Sequence, residues 1–497
     1  MQAINTSTLL LGGRQLEFPA SVELRLDNSV GEGTQTLELV ELFRVLPKKR
    51  VVVLACWQGS LVVAKLFFAR GRWEQHLQRE IQGVNALDSA GIKTAELLGS
   101  GTLTDGRCGF LLLRYIEGGQ SLGQHWDRAA TQERVTLLQR VVSLIADCHE
   151  RGLLQNDIHL DNFLLKDGTV YLLDAGDLER YPHNPDGVDG VNSLRNLALF
   201  LAQFPVSNDS LAAGLYEYYR QQRPSADLSE DIAVFAALLR KKRALRLKLV
   251  LKKLYRETSA NAYRRDWNHY IVYDRSLESA QLQDFLRAPD AYIERGKIIK
   301  AGRSATVAIV EIDAKQYVLK RYNIKSLWHR IRRQFRPSRA WVCWRNAHML
   351  EMLGVTTAKP LLMMEWRFGS LRREAYFLCE YLPGEDALHL LKKEPINSPA
   401  WSHALNQFKA LFATLRDYSI VHGDMKATNF LVTDKGLAVL DLDGMYQEFD
   451  TGHFAKARAK DLQRFAKNWE DDPARAQMVQ TMLTQLQEES DYFTKGS

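Results

Sequence analysis

The sequence predicts an α+β chain built as two tandem domains, each with a small antiparallel β lobe and a larger helical lobe. Its 497 residues suffice for two domains of about 250 residues, each able to bury a large core. One set of polar residues recurs at a fixed interval: Asp157, Asn162 and Asp174 return as Asp424, Asn429 and Asp441, each 267 positions later. Upstream, Gly91-Ile92-Lys93-Thr94-Ala95 returns as Gly354-Val355-Thr356-Thr357-Ala358 after 263 positions, and Tyr115-Ile116-Glu117-Gly118 as Tyr381-Leu382-Pro383-Gly384 after 266. An offset that drifts this slowly marks a duplicated domain with small loop changes. The expected boundaries are a first domain over 1–257, a connecting segment over 258–289 and a second domain over 290–497.

In the first domain, residues 1–50 carry only weak strand signals, with alternation in Val22-Glu23-Leu24-Arg25-Leu26 and an apolar run from Leu37 to Leu46. Val51 to Ala55 and Leu61 to Phe68 flank Gln58-Gly59-Ser60 and read as a hairpin. Its second strand carries Lys65 in Val63-Ala64-Lys65-Leu66, similar to the strand on which kinases place a nucleotide-binding lysine. A helix over Trp73 to Leu87 brings Glu80, a candidate partner for Lys65. No glycine-rich loop precedes the lysine, since Arg44-Val45-Leu46-Pro47-Lys48-Lys49-Arg50 has no glycine. Phe110 to Tyr115 reads as a buried hinge strand, and Arg134 to Arg151 as the helix before the loop. Gln155 stands where the second copy has His422, and Asn192-Ser193-Leu194-Arg195 corresponds loosely to Asp461-Leu462-Gln463-Arg464.

The second domain opens with two strand-like pieces around a turn at Gly302 and Ser304, placed to lie over phosphates. Tyr317-Val318-Leu319-Lys320 supplies the strand lysine. On the following helix, Ala340 to Leu353, the position equivalent to Glu80 is Cys343, so the acidic partner of Lys320 is missing, with Asn346 as a stand-in one turn on. Phe377 to Gly384, with Glu380, reads as the hinge strand, and Ala404 to Tyr418 as the helix that delivers the loop. Phe430-Leu431-Val432 and Leu437 to Leu440 form a hairpin around Thr433-Asp434-Lys435-Gly436. Helical periodicity in Asp461 to Trp469 and Ala474 to Leu486 predicts a small cap to the lobe.

These residues have the makings of phosphoryl transfer. One carboxylate orients and deprotonates a hydroxyl, while an amide and a second carboxylate hold Mg²⁺ against the phosphates. Asp424 is the candidate base with Asn429 and Asp441 as metal ligands; Asp157, Asn162 and Asp174 are their counterparts. Lys65, Glu80, Lys320, Gly302, Ser304 and Glu380 are candidates for holding the nucleotide.

Composition bounds the class further. The chain is 46% apolar and 25% charged, as ordinary globular proteins are. Its five cysteines show no CxxC pairing and read as buried thiols in a reducing cytoplasm. Leu9-Leu10-Leu11, with no charged region before it, makes a poor signal peptide, and no stretch reaches the roughly 18 apolar residues of a membrane span. The net charge of +7 is concentrated. Arg240, Lys241, Lys242, Arg243, Arg246, Lys248, Lys252, Lys253 and Arg256 accompany a stripe of Leu247, Val250, Leu251 and Leu254. Arg321, Lys325, Arg330, Arg332, Arg333, Arg336 and Arg339 surround Trp328 and Phe335. Such clusters read either as two solvated helix faces or as surfaces drawn to an anionic membrane or a phosphorylated glycolipid, and no nucleic-acid partner is expected.

Lys300-Ala301-Gly302-x-Ser304-x-Thr306-Val307, Val318-Leu319-Lys320-Arg321-Tyr322-Asn323, Trp344-Arg345-Asn346-Ala347, Leu353-Gly354-Val355-Thr356-Thr357-Ala358 and His422-Gly423-Asp424-x-Lys426-x-x-Asn429-Phe430-Leu431 together resemble the bacterial lipopolysaccharide core kinases, the Kdo and heptose kinase superfamily. The likeness is good over about 290–470 and looser over about 50–205. It implies two protein-kinase-like domains, ATP with Mg²⁺, a sugar hydroxyl of lipid A-core as acceptor, and work at the cytoplasmic face of the inner membrane, beside other core-assembly enzymes. It places Asp424, Asn429, Asp441 and Lys320, and in the first copy Asp157, Asn162, Asp174, Lys65 and Glu80, at the base, metal and phosphate positions. At least one active domain is expected, the second before the first. The competing readings are a pseudokinase scaffold in core assembly and a kinase with a small-molecule or protein acceptor.

Overall fold

The computed structural model describes residues 2–27, 34–68, 71–181, 187–229, 231–302, 304–323, 336–396 and 398–494. The chain forms two compact units, one over Met1–Phe204 and Asn208–Arg243, the other over Pro205–Ser207 and Ala244–Ser497. The division falls inside the helix Ile232–Lys253 rather than after residue 257.

In the first unit a seven-stranded sheet runs in the order Gln2–Ala3, Ala20–Leu26, Gln35–Leu46, Arg50–Trp57, Ser60–Phe67, Gly109–Arg114, Leu97–Leu103. Ala20–Leu26 also pairs with Leu97–Leu103, Leu24 opposite Leu103, so the sheet closes on itself. The weak strand signals of residues 1–50 thus belong to this sheet. Alternation decides what goes inside. Val51, Val53, Ala55, Val62, Ala64 and Leu66 fill the interior with Leu24, Leu37 and Leu39, while Lys65 and Phe67 face the helical lobe. Gln58 (φ 50°) and Gly59 (φ 76°) both take the left-handed conformation that a two-residue hairpin turn requires. The glycine-free segment before Arg50 is a tight turn, with Lys48 at φ 60° and its carbonyl-closing bond from Lys49 N to Leu46 O at 3.0 Å.

The second unit carries an antiparallel seven-stranded sheet in the order Asn261–Arg265, His269–Asp274, Pro360–Phe368, Leu371–Glu380, Lys315–Tyr322, Ala305–Ile312, Lys297–Ala301. Its first two strands lie in the stretch 258–289 that the sequence reading made a connecting segment. That expectation is corrected: Tyr270, Ile271, Val272 and Tyr273 are buried, and Asp266 closes their hairpin by accepting the N–H groups of Asn268 and His269, each at 2.8 Å. The helix Ala280–Arg287 then lays Leu282, Phe285 and Leu286 over the back face of the sheet, against Ala308, Val310 and Leu319. Each such side chain is worth about 2 kcal/mol when fully buried. An apolar back face is therefore covered by a helix in the second unit and by the sheet's own closure in the first.

The helical lobes follow the expected periodicity, with Thr131–Glu150 before the first loop, and Pro399–Asp417, Thr451–Ala466 and Pro473–Thr494 around the second. Trp401, Phe408, Phe465 and Trp469 form the buried aromatic centre of the second lobe.

Candidate active site

In the second unit the hairpin Phe430–Thr433 and Gly436–Val439 pairs Phe430 with Val439, and Leu440 N donates to Asn429 O at 2.8 Å. The expected metal ligands Asn429 and Asp441 therefore flank the open end of one hairpin. Asp441 sits in the left-handed region (φ 55°, ψ 62°), a conformation non-glycine residues adopt at a cost, and Asp174 does the same (φ 58°, ψ 71°). Thr357 Oγ1 donates to Val439 O at 2.8 Å and Thr94 Oγ1 to Leu172 O at 2.7 Å. This explains the repeated Gly-x-x-Thr-Ala segment: its threonine ties down the strand that ends in the left-handed aspartate.

The loop before the hairpin is held from beneath. Asp461, on the helix Thr451–Ala466, accepts the N–H of His422 at 2.7 Å and that of Gly423 at 3.1 Å. Asn429 Nδ2 donates to Asp424 O at 2.8 Å, and Asn162 Nδ2 makes the same bond to Asp157 O at 2.6 Å. The Asp424 carboxylate meets Arg464 NH1 at 2.8 Å and Lys426 Nζ at 3.3 Å. Arg464 had entered the sequence reading only as part of a loose repeat, because its helix lies 40 residues from the loop it serves.

Lys320 Nζ lies 3.3 Å from Asp441 Oδ1. Burial works to raise the pKa of Asp441, but the ammonium of Lys320 and its hydrogen bond, helped by His422 and Lys300, together hold the carboxyl below its usual value. Cys343 is where Glu80 would be and bonds Tyr322 through its sulfur at 3.1 Å. Burial pushes its thiol up to about 12, so at neutral pH it brings no charge to Lys320. The suggested stand-in, Asn346, is not a partner of Lys320: its amide donates to Leu442 O at 3.0 Å and Met445 O at 2.8 Å, bracing the turn after Asp441. Gly302 and Ser304 lie at the turn between Lys297–Ala301 and Ala305–Ile312. Asn323 ties that turn to the lysine strand, with Nδ2 to Gly302 O at 3.2 Å and N to Ser304 O at 3.1 Å. Glu380 ends its strand exposed, its N–H taken by Lys359 O at 3.0 Å.

The first unit assembles a different charge set. Lys65 pairs with Glu80 in a tight, buried ion pair and reaches Asp174 Oδ1 at 3.2 Å. Arg50, which the sequence reading did not single out, lies 3.5 Å from Glu80 Oε2 and 3.4 Å from Asp174 Oδ2. Asp157 is exposed, and among the described residues no basic side chain pairs with it. Gln155 holds the loop in place of His422, donating to Asp174 O at 2.5 Å. The helix residue that meets this loop is Asn196, not Asn192: its amide donates to Gln155 O at 2.8 Å.

Behind that contact, His149 is fully enclosed, with Nε2 3.1 Å from Asn196 Oδ1 and Nδ1 2.6 Å from Tyr219 Oη. Burial, helped by Arg223, pulls its pKa down to about 3. The unfolded chain then binds a proton near pH 6.5 that the folded unit refuses, so this contribution to stability is complete above pH 6.5 and is lost as pH falls toward 3. We expect the first unit to lose about 2 kcal/mol between pH 7 and 5, and His149→Gln to flatten that slope in denaturant titrations followed by unit-specific fluorescence.

A strand lysine paired with a left-handed aspartate, beside an Asp and an Asn on one hairpin-loop, is the equipment of a phosphotransferase of the kinase class. The chain belongs to the lipopolysaccharide kinase (Kdo/WaaP) family, whose model matches residues 66–182 and 290–486. Among solved structures, the kinase domain of PknI from M. tuberculosis is 17% identical with a TM-score of 0.27, covering 41% of this chain and 95% of that one. A rhoptry kinase from Toxoplasma gondii is 14% identical with a TM-score of 0.31, covering 49% and 82%. No curated protein matches the chain.

Proposed function

We propose that the chain comprises two protein-kinase-like domains and that the second transfers a phosphoryl group from ATP to a sugar hydroxyl, heptose or Kdo, of the lipopolysaccharide inner core. The observation that carries this is the Lys320–Asp441 pair at 3.3 Å, set at the mouth of the hairpin that Asn429, five residues after Asp424, precedes. Asp424 would accept the proton of the acceptor hydroxyl while Lys320 offsets charge on the phosphates. Asp441 and Asn429 would hold Mg²⁺. A nucleotide-bound Mg²⁺ needs only one or two carboxylates besides phosphate and water oxygens, which this pair meets, although no group of three His, Cys, Asp or Glu suited to a metal occurs among the described residues. When bound, that ion neutralises developing charge on the transferred group. Incubation of the full chain with ATP and dephosphorylated lipopolysaccharide should add one phosphate to the core, read by mass spectrometry. Transfer only to small molecules or proteins would favour the other acceptor classes.

Work at the cytoplasmic face of the inner membrane, as a peripheral protein and beside other core-assembly enzymes, suits this acceptor. No helix among the described residues is long and apolar enough to cross a membrane. On the helix Ile232–Lys253, Lys241, Lys248 and Lys252 are exposed around Leu245 (50% exposed) and Leu249 (59%). Arg243 does not belong to that surface: it is buried and paired with Asp209. Leu247, Leu251 and Leu254 lie in the core of the second unit. In the other basic group, Arg321 pairs with Asp290 at 2.9 Å and Arg339 with Asp443 at 3.4 Å, while Lys325, Trp328, Arg330, Arg332, Arg333 and Phe335 lie outside the described residues. Each basic residue near an anionic surface adds about 1 kcal/mol, so reversing Lys241, Lys248 and Lys252 to Glu should cut co-sedimentation with phosphatidylglycerol vesicles at least about 100-fold. Unchanged binding would remove the helix from the membrane account.

A further inference from the structure

At one strand position the first unit's cleft carries a cation where the second, among the described residues, has alanine, and the register identifies that position. Val52 faces Lys65 and Arg50 faces Phe67; in the second unit Val307 faces Lys320 and Ala305 faces Tyr322. Arg50 therefore stands where the second unit has Ala305. Its guanidinium lies over the Phe67 ring, 5.6 Å from the centroid, with 15% of the side chain exposed. From there NH1 reaches Glu80 Oε2 at 3.5 Å and Asp174 Oδ1 at 3.5 Å, and NH2 reaches Asp174 Oδ2 at 3.4 Å. Lys65 holds Asp174 Oδ1 from the other side at 3.2 Å. Both oxygens of the aspartate expected to bind metal are thus engaged by fixed cations, and two carboxylates are balanced by two bases. A planar guanidinium set opposite both oxygens of a carboxylate is a geometrically specific arrangement, here at ion-pair distances of 3.4 and 3.5 Å. A divalent ion would have to displace it, and the ammonium beside it, before finding a free carboxylate oxygen.

Resting on the reading of both units as nucleotide-binding domains, we propose that Arg50 occupies the place of the divalent cation in the first unit, which then binds a nucleoside triphosphate without metal and serves as a binding domain. The remaining N–H donors of Arg50, together with Lys65, supply the positive charge that the phosphates require. The second unit, with Ala305 at the same register and Asp441 ion-paired with Lys320 alone among the described residues, keeps the metal requirement.

Counting bound nucleotide tests this on the full chain, using a non-hydrolysable ATP analogue in equilibrium dialysis. With Mg²⁺ two molecules should bind per chain; with EDTA one should remain, and it should persist in Lys320→Ala. Arg50→Gln should lose the EDTA-resistant molecule, with at least a tenfold rise in its Kd, and regain it when Mg²⁺ is added, because Asp174 is then open to the ion. Arg50→Lys, a milder change to the strand, should weaken EDTA-resistant binding without abolishing it, and thermal unfolding of both variants reports that the unit is intact. No EDTA-resistant nucleotide on the wild-type chain, or one that survives Arg50→Gln in EDTA, overturns the proposal. Loss of the Mg²⁺-dependent molecule alone from the wild-type count would instead sink the kinase reading of the second unit and leave Arg50's role standing.

Discussion

Asp424→Ala should lower turnover of lipopolysaccharide phosphorylation by about a thousandfold, the range general-base catalysis usually supplies, with little change in nucleotide affinity. The carboxylate is held by Arg464 at 2.8 Å and Lys426 at 3.3 Å, and its own backbone carbonyl is fixed by Asn429, so the variant removes one functional group from a loop that other bonds keep in place. Asp157→Ala is the internal control. The exposed Asp157 carboxylate has no such cationic partners among the described residues, and Asp174 in the same cleft is ion-paired with Arg50. Its substitution should leave turnover within about twofold, since surface changes away from a working site cost little. Equal losses for the two variants would mean that both units fire.

Asp461→Ala should be nearly as damaging for a different reason. Its carboxylate accepts two backbone N–H groups of the loop, from His422 at 2.7 Å and Gly423 at 3.1 Å, and the residue is only 5% exposed. Removing it strands the buried N–H of His422 and takes the acceptor from the more exposed Gly423 N–H, so the second unit should lose about 2 kcal/mol of stability. The loop that carries Asp424 then loses its floor, and turnover should fall about a hundredfold because a misplaced base cannot reach the hydroxyl. Chemical denaturation and steady-state assays measure the two effects separately. A drop in stability with unchanged turnover would show that the loop keeps its shape without this support.

Much of the candidate site was legible because its parts are local. Asp424, Asn429 and Asp441 lie within one loop and one hairpin, and the turn chemistry of Thr433 to Gly436 sets their spacing. Repetition at 267 positions made the reading stronger than either copy alone. The left-handed aspartates could not be read from propensity, since they are imposed by the tied strand before them. The segment 258–289 went unread as sheet because its hairpin partners only after Pro360–Phe368 arrives, about 90 residues later in the chain, in agreement with the weak context-free strength of strand signals.

Legible from the chain alone were the recurrence of the Asp, Asn and Asp set after 267 positions, the order of lysine, helix, loop and acid, and the cysteine at 343 where an acidic partner for Lys320 is expected. Tertiary structure alone decided which charges meet. Arg50 and Asp174 are 124 residues apart, and only the pairing that brings Arg50–Trp57 beside the lysine strand delivers the guanidinium to the cleft. Asp461 and His422 are 39 apart and meet because one helix packs under the loop. Local patterns follow from the chain's own periodicity and turn chemistry; long-range ion pairs depend on register and closure, which are settled when all the apolar faces are buried together.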